Sequence, residues 1–168
     1  MRESNTRSRT IRQPPRINFQ HFPPETEVLL RRAATAAFAA GKQQPVPDAS
    51  FFPCPPRGRE AAEITFVMVS DREIKKLNRS YRKVNRITDI ISFLNSPEPF
   101  QGDIFIARER SRRQAAGQGH PWTHELAYLV IHGVLHLYGY TDYTPVERAK
   151  MFGVQDKVFA RLKAVLKP

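Results

Sequence analysis

The chain of 168 residues contains one cysteine, Cys54, which excludes an internal disulfide framework. It also lacks a long uncharged apolar run and an N-terminal segment of the signal-peptide type. We therefore expect a protein of the reducing cytoplasm with no transmembrane segment. Hydrophobic residues make up 40% of the chain, which is enough for one domain with a proper core.

Acidic residues are scarce relative to basic ones, with 16 Asp and Glu against 27 Lys and Arg and a net charge of +11. Such an imbalance points to a polyanionic partner. Seven cations recur at intervals of three and four and predict one stripe along a helix: Arg72, Lys75, Lys76, Arg79, Arg82, Lys83 and Arg86. A second basic cluster follows at Arg108, Arg110, Arg112 and Arg113. An ordinary solvated helix face explains such a stripe as well, so charge alone leaves phosphate contact open.

Three candidate metal ligands lie close together in the sequence: His132, His136 and Asp142. Histidines four residues apart share one face of a helix, which suits two nitrogens bound to one zinc ion. Gly139 can adopt the left-handed conformation that ends a helix, so the chain can turn back and bring Asp142 to the same ion. The set leaves a fourth position for water, as in catalytic zinc sites. The alternative is a hydrogen-bonded histidine pair in a half-buried helix.

A glutamate is missing beside the first histidine. Zinc peptidases of the His-Glu-x-x-His type use that glutamate as the general base, whereas this chain has Gly133 there, which argues against peptide hydrolysis. Thr123 is the predicted N-cap of the ligand helix. Glu125, two turns before His132, either orients a ligand or is a first-turn acid favoured by the helix dipole.

Four ordered sequence blocks carry a family resemblance. They are Leu77-Asn78 with Tyr81-Arg82, the stretch 88–93 (Thr-Asp-Ile-Ile-Ser-Phe), the stretch 102–104 (Gly-Asp-Ile), and the stretch 132–140 (His-Gly-Val-Leu-His-Leu-Tyr-Gly-Tyr). Together these blocks resemble the YbeY family of bacterial metal-dependent endoribonucleases, which act in rRNA maturation and ribosome quality control. The resemblance implies that Arg82 is catalytic, since it matches the arginine of the family's Tyr-Arg pair and a guanidinium can stabilise charge on a phosphate. Without the resemblance, Arg82 would be an ordinary surface arginine.

The chain departs from the family pattern at the third ligand. The family has a histidine where Asp142 stands, and prolines where Ile87 and Leu94 stand. We expect the aspartate to be a working substitute, because carboxylate oxygen binds zinc at about 2.0–2.2 Å. An anionic ligand weakens the Lewis acid, so harder metals such as manganese become more competitive.

The order of predicted elements indicates an α+β fold, with a small mixed four-stranded sheet covered by about five helices. The metal site is expected on a helix of the C-terminal half and the turn after it. Strands are predicted at 16–22, 63–70, 88–94 and 102–106, and helices up to Gly41, from Asp71 (as the cap), near 107–117, at about 123–138 and from Pro145. Residues 1–15 are predicted to be a disordered basic tail and residues 43–59 an irregular proline-rich loop, within a single domain over 16–168.

The sequence thus predicts a single-strand-type endoribonuclease that depends on one divalent ion, with zinc preferred. Its ligands would be His132, His136 and Asp142, with Arg82 as the catalytic cation. The resemblance implies an rRNA precursor as substrate, a role in 16S rRNA maturation, and ribosomal subunit proteins as partners. Three alternatives stay open: a non-catalytic ribosome-assembly or RNA-binding factor with a structural metal, a metalloprotease, and an iron oxygenase with two histidines and one carboxylate.

Overall fold

The structure, a computed structural model, describes residues 15–41, 62–97 and 100–165. Cys54, the predicted loop 43–59 and the predicted tail 1–15, except for its last residue, lie outside the described residues. The described elements are β1 (Arg16–Gln20), α1 (Glu27–Gly41), β2 (Glu63–Val69), α2 (Asp71–Arg82), β3 (Ile90–Pro97), β4 (Phe100–Ala107), α3 (Arg108–Gln118), α4 (Trp122–Leu137) and α5 (Pro145–Val165). The predicted α+β class is confirmed.

The four strands form one mixed sheet in the order β1-β2-β4-β3. The first three are mutually parallel, and β3 runs antiparallel to β4 at the edge of the sheet. β2 shows the alternation expected of a strand, because Ile64, Phe66 and Met68 are buried while the residues between them are half-buried. The buried set faces the main core, so the register of this strand decides which face of the sheet the large helices cover.

The main core lies between one face of the sheet and the helices α1, α4 and α5. Helix α4 is the central helix, and most of its apolar side chains are buried. It comes close to the sheet at Gly133, where an added Cβ would lie 2.9 Å from Ile104 Cγ2 and 2.9 Å from Ile90 Cδ1. This close approach requires glycine at position 133. A smaller cluster of Ile74, Ile91 and Ala107 lies under α2.

Two predicted helix starts were wrong. Helix α2 is capped by Ser70 rather than Asp71, because Ser70 and Glu73 form a reciprocal capping box: the Glu73 amide donates to Ser70 Oγ, and the Ser70 amide donates to the Glu73 carboxylate. Asp71 instead accepts hydrogen bonds from Arg113 and from the Arg110 amide, which ties α2 to α3.

Helix α4 begins at Trp122, with Pro121 rather than Thr123 at the cap position and no side-chain cap. The indole nitrogen of Trp122 donates to Ser111 Oγ at 2.9 Å, and the Arg112 guanidinium lies 4.2 Å from the centre of the Trp122 ring. These contacts with α3 fix the start of α4 in place of a capping side chain. Of the helices described, none combines the length and the hydropathy needed to span a membrane.

Candidate metal centre

His132 and His136 face each other from successive turns of α4. Their ring centroids are 4.5 Å apart with an interplanar angle of 84°, and their Nε2 atoms are 2.9 Å apart. Both side chains are half-buried, on a helix whose neighbouring residues are buried. The predicted spacing of two imidazoles on one helical face is therefore confirmed.

The other nitrogen of each ring has a carbonyl oxygen as its partner. His136 Nδ1 lies 2.8 Å from the backbone oxygen of Tyr140, and His132 Nδ1 lies 3.0 Å from Gln155 Oε1. Carbonyl oxygens only accept hydrogen bonds, so each neutral ring carries its proton on Nδ1. Both Nε2 atoms then present lone pairs to each other at 2.9 Å, an arrangement that is repulsive unless a cation lies between them. A shared proton would also relieve this repulsion, but the Asp142 carboxylate adds a third donor, and a set of two imidazoles and one carboxylate suits a metal ion.

The surroundings of His136 keep its imidazole neutral, which is the form that binds a metal ion. Burial, and next the neighbouring His132, lower the pKa of His136 to about 4, although the Tyr140 carbonyl and the Asp142 carboxylate act in the opposite direction. His136 is therefore neutral at pH 7, as a metal-binding imidazole must be.

Asp142 reaches the histidines through the turn that ends α4. Gly139 has a φ of 83°, and the Gly139 amide donates to His136 O at 2.9 Å, so the predicted glycine stop is confirmed. One ligand atom from each of His132, His136 and Asp142 lies within 4.8 Å of the others. The Arg148 guanidinium on α5 donates to the backbone oxygen of Asp142 at 3.0 and 3.3 Å, which holds the returning chain.

Gln155 was missed by the sequence analysis. It is fully buried on α5, and its Nε2 donates to Tyr128 O at 3.4 Å, which directs its Oε1 towards His132. The sequence did contain a signal. Gln155 interrupts an apolar stripe of helical spacing formed by Met151, Val158 and Leu162, and a polar residue on a buried face needs a partner.

Glu125 does not reach the histidine pair. It is buried, and its carboxylate lies 3.2 Å from His120 Nε2. Burial raises the pKa of Glu125, with His120 acting in the opposite direction. The hypothesis that Glu125 orients a ligand is wrong, because the partner of His132 Nδ1 is Gln155 Oε1.

Arg82 lies in the last turn of α2 and is exposed. Its positive charge is the smallest of the named contributions to the pKa of His136 and acts to lower it. Lys83, with a φ of 59°, ends the helix, and the buried Asn78 side chain donates to Arg86 O at 2.9 Å. Asn78 thereby folds the chain after Arg82 back against α2.

The other acids that match family blocks have structural partners. Asp89 accepts from the Ile90 amide and from Gln114, and Asp103 accepts from Asn95. Glu147 forms a capping box with Thr144 at the start of α5, so its carboxylate is already used.

Comparison with known proteins identifies the family of the chain. The model of the family described as endoribonuclease YbeY matches residues 54–163. A protein named endoribonuclease YbeY from Endomicrobium trichonymphae is 47% identical over 143 residues, covering 85% of this chain and 90% of the relative. A second, from Desulfitobacterium hafniense (strain Y51), is 39% identical over 115 residues, covering 61% of this chain and 73% of the relative. The solution structure of TM1509 from Thermotoga maritima superposes with a TM-score of 0.55 at 24% identity, covering 87% and 88% of the two chains.

The fold and the site define an α+β protein with a candidate metal centre of two histidines and one carboxylate. Within that class, the chain belongs to the YbeY family.

Proposed function

We propose that this protein is a metal-dependent endoribonuclease that cleaves single-stranded segments of an rRNA precursor, in 16S rRNA maturation and ribosome quality control. The observation that carries the proposal is the pair of Nε2 atoms 2.9 Å apart, with the Asp142 carboxylate beside them, in a chain of the YbeY family. Three side chains able to bind a divalent ion suit hydrolysis of a phosphodiester. A net charge of +11 favours a polyanionic substrate such as RNA.

Each residue of the centre has a defined part in this proposal. His132 and His136 hold the ion through Nε2, while Gln155 and Tyr140 O fix the two Nδ1 protons. Asp142 supplies the third ligand. Held by these residues, a divalent ion would supply Lewis-acid chemistry, either polarising a phosphoryl oxygen or lowering the pKa of a water molecule. Arg82 stabilises the negative charge that develops on the phosphoryl oxygens of the scissile bond.

Zinc is the metal that we propose, because imidazole nitrogen and carboxylate oxygen are both among its ordinary ligands. Elemental analysis of protein purified without added metal tests this choice and also tests an iron oxygenase. We expect close to one zinc per chain, a large loss of zinc in Asp142→Ala, and retention in Asp142→His. Full occupancy in Asp142→Ala would show that Asp142 is not a ligand, and a clear preference for iron(II) would contradict the zinc assignment.

The cations of α2 support an RNA partner. Within the described part of the chain, Lys75, Arg79, Arg82 and Arg86 form no ion pair with a carboxylate, whereas Arg113 on α3 is paired with Asp71. Unpaired cations on one surface are available for phosphates. We also propose that residues 16–168 act as one domain, that ribosomal subunit proteins present the substrate, and that the protein works in the cytoplasm, where rRNA precursors are processed.

The direct test is cleavage of a labelled single-stranded rRNA fragment by the purified protein, with and without a chelator. We expect cleavage that the chelator abolishes and zinc restores. His136→Ala and Arg82→Ala should each lower the rate by at least about a hundredfold, because the first removes a proposed ligand of the ion and the second removes the cation proposed to stabilise the transition state. Cleavage that survives both substitutions would identify a contaminating nuclease.

The same preparation separates the alternatives. RNA binding without any metal-dependent cleavage would indicate a non-catalytic assembly factor with a structural metal. Metal-dependent hydrolysis of casein would indicate a protease, but the structure argues against this. Position 133, where such enzymes place their glutamate, faces the packed side chains of Ile90 and Ile104.

A further inference from the structure

Two tyrosines next to the candidate centre are left in solvent. Among the described residues, the mostly exposed large hydrophobic side chains are Val28, Tyr81, Tyr143 and Val146. Tyr81 immediately precedes Arg82, and Tyr143 immediately follows Asp142. An Asp142 carboxylate oxygen lies within 4.8 Å of a ring nitrogen of each histidine, so Tyr143 adjoins the candidate centre, and Tyr81 adjoins the proposed catalytic residue Arg82. Core packing does not account for rings that are 65% and 78% exposed.

The Tyr81 ring is exposed but held in place. Its centroid lies 4.7 Å from that of Phe93 on the edge strand β3, in an edge-to-face arrangement, and Phe93 lies 5.8 Å from Phe105 on β4. This row of rings anchors Tyr81 to the sheet. An aromatic ring that is fixed before binding loses little conformational freedom when a ligand stacks on it.

The surroundings of Tyr81 are cationic. Arg79, Arg82, Lys83 and Arg86 lie near it along the chain, are exposed, and form no ion pair with a carboxylate within the described residues. The helix dipole explains cations in the last turn of α2, but it does not explain an exposed aromatic ring among them. An exposed aromatic ring in a positively charged surface is the arrangement that proteins use to bind single-stranded nucleic acid, with the bases on the ring and the phosphates on the cations.

We propose that Tyr81 and Tyr143 are stacking residues for two unpaired bases of the RNA, one on each side of the phosphate that reaches the metal centre. The proposal rests on the proposed function and extends it by assigning base subsites. A duplex keeps its bases stacked inside the helix, so stacking on these rings selects single-stranded RNA.

The test compares the full-length chain with Tyr81→Leu, Tyr143→Leu and the ring-retaining variants Tyr81→Phe and Tyr143→Phe. Binding of a short fluorescent single-stranded RNA is measured in a chelator, so that cleavage does not interfere. The same RNA is then used with one abasic position moved along it, and a hairpin of the same length serves as the duplex probe. Val28→Ala is the matched control, an exposed apolar residue on α1. Thermal unfolding confirms that each variant is folded.

We expect each leucine variant to weaken binding of the single-stranded RNA by about 5- to 150-fold, the range that corresponds to one base–aromatic stack. The phenylalanine variants and Val28→Ala should bind as the parent does. Each leucine variant should lose no further affinity when the abasic position lies over its own subsite, since the stacking partner is already absent. Hairpin binding should be insensitive to all the variants.

Contrary results are equally specific. Unchanged affinity in a leucine variant, or an equal loss on the abasic and the complete RNA, overturns the assignment for that tyrosine. Failure of the parent chain to bind single-stranded RNA overturns both assignments. Stacking-dependent binding without metal-dependent cleavage would leave the subsites standing and contradict the proposed nuclease function, so the two failures are distinguishable.

Discussion

The atoms behind the two imidazoles organise the candidate centre. His136 is held by the backbone carbonyl of Tyr140, four residues further along the chain, while His132 depends on a side chain from another helix, Gln155. The two anchors differ in how they can be tested. A substitution at position 140 leaves the backbone carbonyl of that residue in place, whereas a substitution of Gln155 removes its side-chain amide. Gln155 is therefore the residue through which the ligand geometry can be altered without touching a ligand.

Replacing Gln155 with leucine should weaken metal binding. The substitution removes the acceptor for His132 Nδ1–H, so the ring loses its fixed tautomer and orientation. We expect the dissociation constant for zinc to rise by about 10- to 100-fold, which a competition assay with a chromophoric chelator measures. Gln155→Glu is the matched control, because its carboxylate can still accept from Nδ1–H and should keep the affinity within about tenfold of the parent. An unchanged affinity in Gln155→Leu would show that Gln155 only fills space.

The lowered pKa of His136 predicts a pH-dependent stability of the metal-free protein. Between pH 6.5 and about 4 the unfolded chain takes up a proton that the buried folded ring resists, so the free energy of unfolding falls as the pH is lowered through this range. Above pH 6.5 this contribution is constant. Denaturant unfolding of the parent and of His136→Gln measures it. Between pH 6.5 and about 4, the difference in free energy of unfolding between the parent and His136→Gln should change by an amount on the order of 2 kcal/mol. Equal pH profiles of the two proteins would show that the His136 ring is not buried.

Residue spacing in the sequence was enough to predict that His132, His136 and Asp142 lie together, because one helix and one glycine turn join all three. It was not enough for Gln155, which lies 23 residues from His132 and meets it only when α5 packs on α4. The spacing of residues along the sequence predicts only contacts that are made within one helix or strand and its adjoining turn. Contacts between elements need the fold, although the polar interruption of an apolar stripe marked Gln155 as a residue in need of a partner.

At the level of elements, α4 and the sheet constrain each other through Gly133. Glycine is a poor helix former, by about 1 kcal/mol relative to alanine, and it is retained here because a Cβ has no room. Gly153 on α5 is the opposite case, with no atom within 4 Å of its Cβ position. The same substitution is therefore expected to have opposite effects on the two helices.

Gly133→Ala should lower the free energy of unfolding by about 1–2 kcal/mol, since overpacking against Ile90 and Ile104 outweighs the gain in helix propensity. Gly153→Ala should raise it by about 0.5–1 kcal/mol through propensity alone. Urea unfolding followed by circular dichroism measures both changes. A stabilising effect of Gly133→Ala would mean that α4 lies further from the sheet than the structure shows.

The type and approximate position of each described element were predictable, while the details of their ends were not. Ser70 and Asp71 are both good capping residues, and only the reciprocal bonds with Glu73 show which one caps α2. Nothing local predicted that Trp122 would start α4 through contacts with α3. The strand order β1-β2-β4-β3 was also beyond the sequence, because pairing between distant strands is decided by packing.

For the whole molecule, net charge indicated the class of partner but not the surface that binds it. The structure distinguishes Arg113 of the second basic cluster, which is paired with Asp71, from the cations of α2, which have no carboxylate partner among the described residues. Counting charges along the sequence treats these two groups as equal. The difference arises from the packing of α2 against α3.

This difference predicts which cations contribute to salt-sensitive RNA binding. Arg79→Gln should reduce the slope of log affinity against log salt concentration by about 0.7, the value for one phosphate contact on single-stranded nucleic acid. Arg113→Gln should leave the slope almost unchanged, because that charge is already paired. Fluorescence anisotropy titrations at several salt concentrations measure both slopes. Equal effects of the two substitutions would mean that RNA binding follows total charge and not one surface.

Both α5 anchors of the candidate centre, Arg148 and Gln155, follow the ligands in the chain. A ribosome synthesises the chain from the N-terminus, so His132, His136 and Asp142 emerge before the helix that orients them. The centre is thus completed only after α5 has been synthesised. Until α5 docks, a nascent chain would carry the three ligands without the two side chains that hold them in place, and metal-dependent activity would begin only after that step.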